Sequence, residues 1–419
     1  MKSRELLVIL GCGVLALIWL ASHMRTPRNR VYDDTSGKVS NDDVRASRGF
    51  KPATPVETEA VVLFYQDMNG YNTTRIPALV YHHDMFFAFA EGRRETFEDV
   101  GKMDIILRRG RRKDWKVAWG PVEIIARQSG YRMMNPVPIV DREMDMILLV
   151  YNAHPLDVSV DKTVTTKLMS IKSFDLGVTW TEPQDMNHEV IQLIKPRPSM
   201  YSPGPGHGIQ MKSGRLIVPG YFFSAVSNSK QIGFRNGTFT QSNVIYSDDH
   251  SDTWRPGGSL GYREHTDGRA IFSNEATVVE LDNELCINSR TLHPDQPRVL
   301  SFSNDKGAGF STPKLEWSLQ EPGYYINDTA FWKNRANLLQ GPFLLKDKIT
   351  SPAFVGGCQA STIGFTAPQP LSPSNTWVVF SNPASFKTRR NMALKISKDG
   401  CERGASHGLS TQMLVPTQT

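Results

Sequence analysis

The chain is poor in cysteine, in clustered charge and in helical periodicity, and each shortage excludes something. Four cysteines in 419 residues cannot build a disulfide-dense scaffold. Cys12 stands apart in an apolar run, so at most one bridge joins Cys286, Cys358 and Cys401. Neither Cys-x-x-Cys nor His-Glu-x-x-His occurs, which removes the common zinc patterns, and neither a catalytic metal nor an organic cofactor is expected. Lys and Arg exceed Asp and Glu only modestly, for a net +6, and are scattered rather than drawn into a stripe. No nucleic-acid partner is expected. Past the first turns of the chain, no segment keeps a long apolar period of 3.6, which leaves little room for helices.

What is present begins with Leu6–Ala21, "LLVILGCGVLALIWLA", flanked by Lys2 and Arg4 on one side and Arg25, Arg28 and Arg30 on the other. Its length lies between a signal-peptide core and a span of about 20 residues. Without a clean cleavage site it is read as an uncleaved signal anchor, a helix holding the chain to a membrane through residues 6–21. Residues 1–24 are thus signal anchor or signal peptide. Sequons at Asn72, Asn236 and Asn327 agree with a secretory-pathway address, either as a single-pass type II membrane protein or as a lumenal or lysosomal one. Residues 25–58 are charged, small and almost free of large apolar side chains, the composition of a flexible stem.

From residue 59 to 419 the pattern is one of short apolar runs in pairs, each pair joined by a polar turn: "ALVY" and "MFFAFAE", "VPIV" and "MILLVYNA", "ATVVEL" and "ELCINSR". Such runs predict an all-β meander. Three polar stretches recur at blade-scale intervals, "SFDLGVTW" from Ser173, "SDDHSDTW" from Ser247 and "SNDKGAGF" from Ser303. In each, an aspartate can bind the N–H groups of a tight turn. Gly177 and Gly307 supply positive φ, and a closing aromatic packs the turn on its own sheet. Radial repetition of small sheets is the expected architecture.

These stretches, together with "TTRIPAL", "FAEGRR", "RMMNPVPI", "GPGHG" and "NEATVVEL...INSR" in that order, resemble the Asp-boxes and signature segments of the sialidase (neuraminidase) family, of the animal exo-α-sialidase type. The resemblance covers roughly residues 59–397. It implies a six-bladed β-propeller with its site at the central mouth, acting on sialylated glycans of glycoproteins, oligosaccharides or gangliosides with retention of configuration. Planar guanidinium forks suit the carboxylate that sialic acid carries on its anomeric carbon. The family's three arginines correspond by motif to Arg75, Arg290 and Arg390, with Arg389 the competitor for the last.

By the same resemblance Glu91 orients Arg75, and Arg93 contacts substrate. Asp99 is the acid/base when counted back from the strand that follows it, Glu98 when counted forward from Arg93; the first count is preferred. Glu275 activates the nucleophile, which in this family is a tyrosine. Asn135, Tyr221, Phe223 and Asp161 line the pocket, and His207 in "GPGHG" is read as structural. "GGSLG" at Gly257–Gly261 matches a nucleophile elbow without its strand and helix. No tyrosine follows Tyr325, whereas the family's nucleophile lies a few tens of residues beyond the third arginine. The chain is therefore expected to stop short of its closing segment, as a truncated or spliced form or a nonhydrolytic descendant. An incomplete last blade and poor or absent turnover follow, with Tyr324 and Tyr325 as weak substitutes.

Overall fold

A computed structural model describes residues 61–157, 166–225, 238–322, 357–401 and 413–414, short stretches within these ranges excepted. The anchor expected at 6–21, the stem at 25–58 and the sequons at Asn236 and Asn327 lie outside the described residues.

Each apolar pair forms the hairpin expected of it. Blade 1 contains β1 (Thr73–His82), β2 (Met85–Arg93), β3 (Met103–Lys113) and β4 (Lys116–Ala126), in that order across the sheet. Blade 2 repeats the plan with β5 (Tyr131–Asp141), β6 (Met146–Pro155), β7 (Lys167–Ser173) and β8 (Gln184–Asp185). Blade 3 has five strands, β9 (Met200–Pro203), β10 (Ile209–Gln210), β11 (Leu216–Ala225), β12 (Thr238–Ser247) and β13 (Arg255–Ser259), with β9 and β10 both paired to β11. A short ribbon, β14 (Arg263–Glu264) and β15 (Ala270–Ile271), leads into blade 4: β16 (Ser273–Glu280), β17 (Leu285–Thr291), β18 (Arg298–Ser303) and β19 (Lys314–Glu316). Blade 5 contains β20 (Ser361–Thr366), β21 (Thr376–Pro383), β22 (Met392–Ser397) and β23 (Met413–Leu414).

The described residues thus form five blades, not the six expected. Each sheet is complete with at least four strands taken consecutively from the chain. No described strand is left over to begin a sixth, and β14–β15 is too short to count as one. Among the described residues the helical content is one 3₁₀ turn, Met68–Gly70, and no helix is long and apolar enough to cross a membrane.

The core lies between blades. Phe87, Phe89 and Leu107 of blade 1 share a buried cluster with Ile147, Leu149 and Ile171 of blade 2. Val137 and Leu148 of blade 2 meet Val218 and Phe222 of blade 3, and Ile217 and Val244 meet Val278 and Ile287 of blade 4. The Asp-boxes sit at the ends of β7, β12 and β18, the third strand of the blade in the two four-stranded cases. In the first, Asp175 Oδ1 accepts from Val178 N at 3.1 Å and Thr179 N at 2.9 Å, while Ser173 Oγ accepts from Gly177 N at 2.8 Å. The Thr179 hydroxyl, which donates to Asp175 Oδ2 at 2.6 Å, and the Thr179 and Val178 N–H groups hold the Asp175 carboxyl down at about 2. Leu176 and Gly177 are left-handed, as are His250 and Ser251 in the second box and Lys306 and Gly307 in the third.

The closing aromatics pack on their own sheets and on the preceding blade at once. Trp180 packs on the blade 1–blade 2 cluster and meets Phe89 edge-on at 6.2 Å. Trp254 is buried in the blade 2–blade 3 cluster, and Phe310 packs on that between blades 3 and 4. Each wedges its turn against the preceding blade. A fourth box closes β22, where Ser397 Oγ donates to Asp399 Oδ1 at 2.6 Å and accepts from Cys401 N at 3.1 Å.

Candidate functional site

One irregularity recurs on three strands. The ladder slips by a residue between Arg75 and Ala78 of β1, between Met134 and Val137 of β5, and between Ser273 and Ala276 of β16. A bulge of this kind breaks the in–out alternation and re-aims side chains. Arg75, Asn135 and Glu275 each lie within or beside one. Ile76 (φ 57°) and Asn135 (φ 54°) are left-handed, and for β-branched Ile76 that conformation is strained. Pro77 and Pro136 follow immediately, where a missing N–H costs the ladder nothing.

In blade 1, Asp99 lies in the loop from β2 to β3. Its Oδ1 is 2.7 Å from Arg93 Nη2 and 3.4 Å from Arg75 Nη1, yet 57% of its side chain faces solvent. The Phe97 carbonyl accepts from the same two guanidinium groups, and Arg132 Nη1 donates to the Asp99 carbonyl at 3.1 Å. The loop is therefore tied to the arginines at two consecutive odd positions. Glu98 caps the Thr96 hydroxyl with its own N–H and faces out, so of the two candidates it is Asp99 that meets the guanidinium groups.

Glu91 is fully buried and does not bond Arg75, its partner across the ladder. Its carboxylate instead accepts from Arg93 Nε at 3.0 Å and Nη2 at 2.6 Å, and from Asn135 N at 2.8 Å. Residues i and i+2 share a face of a strand, so Arg93 reaches Glu91 along β2. Burial pushes the Glu91 carboxyl up, and Arg93 and the Asn135 N–H pull it back. Burial likewise opposes the Arg93 charge, but Glu91 and Asp99 outweigh it and push the guanidinium up. Three donors thus converge on the one buried carboxylate.

From there a polar belt crosses the blades. The Asn135 side chain donates to Ser202 Oγ in β9, which also accepts from Asn152 Nδ2 at 2.9 Å. In β11, burial pushes the Tyr221 hydroxyl well up, and the charges of Glu275 and Asp99 push in the same direction. Phe223 meets the Tyr221 ring edge-on at 6.1 Å. In blade 4, Arg290 Nη1 donates to Glu275 Oε2 at 2.7 Å. Burial opposes the Arg290 charge, and Glu275 leads the groups that more than restore it.

Behind Arg290, the buried carboxylate of Glu321 accepts from Arg298 Nη1 at 3.2 Å, Cys358 N at 2.8 Å and Asn382 Nδ2 at 2.9 Å. Gly357 (φ 70°) is required there, since a Cβ would stand 3.0 Å from Arg290 Cγ and closer still to Glu321. Burial pushes the Cys358 thiol up, and the charges of Arg389 and Arg290 only partly offset it. Arg389 thus belongs to the surroundings of Cys358 and Arg290, while Arg390 and Asp161 lie outside the described residues. His207 is half-buried, its ring nitrogens 3.2 Å from the Gly208 and Thr362 carbonyls, in keeping with a structural histidine. Gly257 and Gly258 lie in β13 against Gly307 and Gly309, far from an elbow. Sequence reasoning missed Ser202, Asn152 and Glu321, which stand in no recognised motif, and Arg132, which opens "RMMNPVPI" but was assigned no role there.

The arrangement sets guanidinium groups beside an exposed carboxylate on one side and a glutamate–arginine pair on the other. Residues 84–403 match the model of the BNR repeat-like domain. The chain is 29% identical to Sialidase-3 of Homo sapiens over 356 residues, 81% of this chain and 80% of that protein. Against Sialidase-3 of Mus musculus the identity is 30%, with 81% of each covered. Among solved structures, Trypanosoma rangeli sialidase in complex with sialic acid superposes with a TM-score of 0.55 at 16% identity. That match covers 83% of this chain and 50% of the other. The intramolecular trans-sialidase of Ruminococcus gnavus in complex with oseltamivir carboxylate gives 0.58 at 15%, covering 83% and 86%. At such identities these two likenesses speak for the fold.

Proposed function

This chain belongs to the animal sialidase family, and we propose that it is an exo-α-sialidase. It removes terminal sialic acids from glycoproteins, oligosaccharides or gangliosides with retention of configuration. The observation that carries this reading is Asp99, an exposed carboxylate whose Oδ1 lies 2.7 Å from Arg93 Nη2 and 3.4 Å from Arg75 Nη1, with the Glu275–Arg290 pair contributed by blade 4.

In this mechanism Arg75 and Arg290, with an arginine of the 389–390 pair, hold the sialic acid carboxylate. Asp99, exposed and beside two cations, delivers a proton to the leaving oxygen and then takes one from water. A carboxylate nucleophile would approach a centre that already bears a carboxylate, so the covalent step falls to a neutral tyrosine, whose ordinary pKa of about 10 requires a base. Glu275 is that base, and Arg290 orients it.

A second reading, a sialic-acid-binding propeller with impaired turnover, is favoured by one observation. Burial holds the proton on Tyr221, and the charges of Glu275 and Asp99 act in the same direction. Incubation with a fluorogenic α-sialoside separates the two. Turnover that releases the α-anomer first, followed by NMR, supports the hydrolase. Saturable binding of sialic acid with no release supports the binding propeller. The proposed address is the secretory pathway, either anchored through residues 6–21 or lumenal; the apolar run and the sequons support it.

A further inference from the structure

We propose that His82, His83 and Asp145 form a site for a divalent transition metal, Zn²⁺ by preference, at the opposite end of β1 from Arg75. The site is separate from the sialoside pocket: His82 ends a strand that begins at Thr73, and at about 3.3 Å per residue Arg75 lies some seven residues, roughly 23 Å, away. Asp145 sits in the turn between β5 and β6, so the three side chains join blade 1 to blade 2.

Consecutive strand residues point to opposite faces. His83 escapes that rule because its backbone is left-handed at φ 46°, which swings its ring to the same side as His82. The two rings lie 4.0 Å apart, and both Nε2 atoms are directed at a single oxygen, Asp145 Oδ1, at 2.5 and 2.7 Å. The turn that makes this possible is braced. Tyr81 Oη donates to Asp84 Oδ1 at 2.7 Å, Arg112 Nη2 lies 2.7 Å from the same oxygen, and Arg112 N donates to the Asp84 carbonyl at 2.8 Å.

The three donor atoms lie within 4.8 Å of one another. Zinc takes imidazole nitrogens at about 2.0–2.1 Å and carboxylate oxygens at about 2.0–2.2 Å in tetrahedral array, which sets ligand atoms roughly 3.4 Å apart. Reaching that geometry requires the two N···O distances to open by less than about 1 Å. His83 and Asp145 are more than half exposed and can move, while His82, 10% exposed, stays as the fixed ligand. Two imidazoles and one carboxylate with a position left for water suit Zn²⁺, and Cu²⁺ and Ni²⁺ compete for such donors; Ca²⁺ and Mg²⁺ prefer all-oxygen sites. The metal replaces the protons now shared between rings and carboxylate, so binding weakens as pH falls.

The test uses the full chain without a polyhistidine tag, stripped with a chelator and titrated calorimetrically with Zn²⁺ at neutral pH. One Zn²⁺ per chain is expected, with a rise in Tm and no response to Ca²⁺. His83→Ala and Asp145→Ala, both at exposed turn positions, should bind at least about tenfold more weakly and lose the rise in Tm. Co²⁺ added in place of zinc should give visible d–d absorption in the wild type that His83→Ala lacks. A wild-type chain that binds no zinc, or a His83→Ala chain that binds it equally well, overturns the proposal.

Discussion

Asp99 is held by its neighbours rather than by burial: Arg93 and Arg75 flank its carboxylate while more than half of the side chain faces solvent. A proton donor and acceptor needs both that access and that anchoring. Asp99→Asn should lower kcat/KM by about 10²–10⁴-fold, and Glu98→Gln should leave it within about twofold; steady-state rates on one sialoside compare them directly. Equal losses in the two variants would return the role to Glu98. Counting back from the strand favoured Asp99 because β3 begins at Met103 and the loop tolerates an extra residue on its other side. The partner of Glu91 was not legible in the same way. Arg75 and Glu91 do face each other across the ladder, but a neighbour two residues along the same strand competes for the carboxylate and wins.

At the scale of elements, the hairpin pattern was legible because each apolar run and its turn are local. The bulges were not, since a one-residue slip is a property of two strands in register. Their Arg-Ile-Pro and Asn-Pro residues are the trace they leave in sequence. Three Asp-boxes were read correctly, and the fourth escaped because Cys401 stands where glycine or serine was sought and no aromatic closes it. The two hydrogen bonds of its serine nevertheless match those of the serines in the other boxes.

The boxes carry a pH prediction. The folded pKa of Asp175 is depressed to about 2 from an ordinary value of about 3.9. Its contribution to stability is therefore complete above about pH 4 and lost as pH falls toward 2. Asp175→Asn should lower Tm by about 2 °C at neutral pH and by much less near pH 2, as thermal melts at the two pH values would show. Gly357→Ala should do more harm. It forces a side chain against Glu321 and Arg290 in a left-handed backbone, at a cost of about 1–3 kcal/mol, and the same melts, with sialoside rates, would register both effects.

At the scale of the molecule, five blades among the described residues carry the candidate site residues. Blade 1 supplies Arg75, Glu91, Arg93 and Asp99; blade 2, Asn135; blade 3, Tyr221; blade 4, Glu275 and Arg290; and Arg389 follows β21 of blade 5. That the whole belt should bind one carboxylate-bearing sugar was legible only through the resemblance, because no local pattern ties residue 75 to residue 290. The claim is tested most directly by calorimetric titration of free sialic acid against its methyl ester, with the wild-type chain and with Arg290→Ala. Binding of the acid but not of the ester, weakened by about 2–4 kcal/mol in Arg290→Ala, is the predicted result. Equal affinity for acid and ester, or an Arg290→Ala chain that binds the acid as the wild type does, would contradict it.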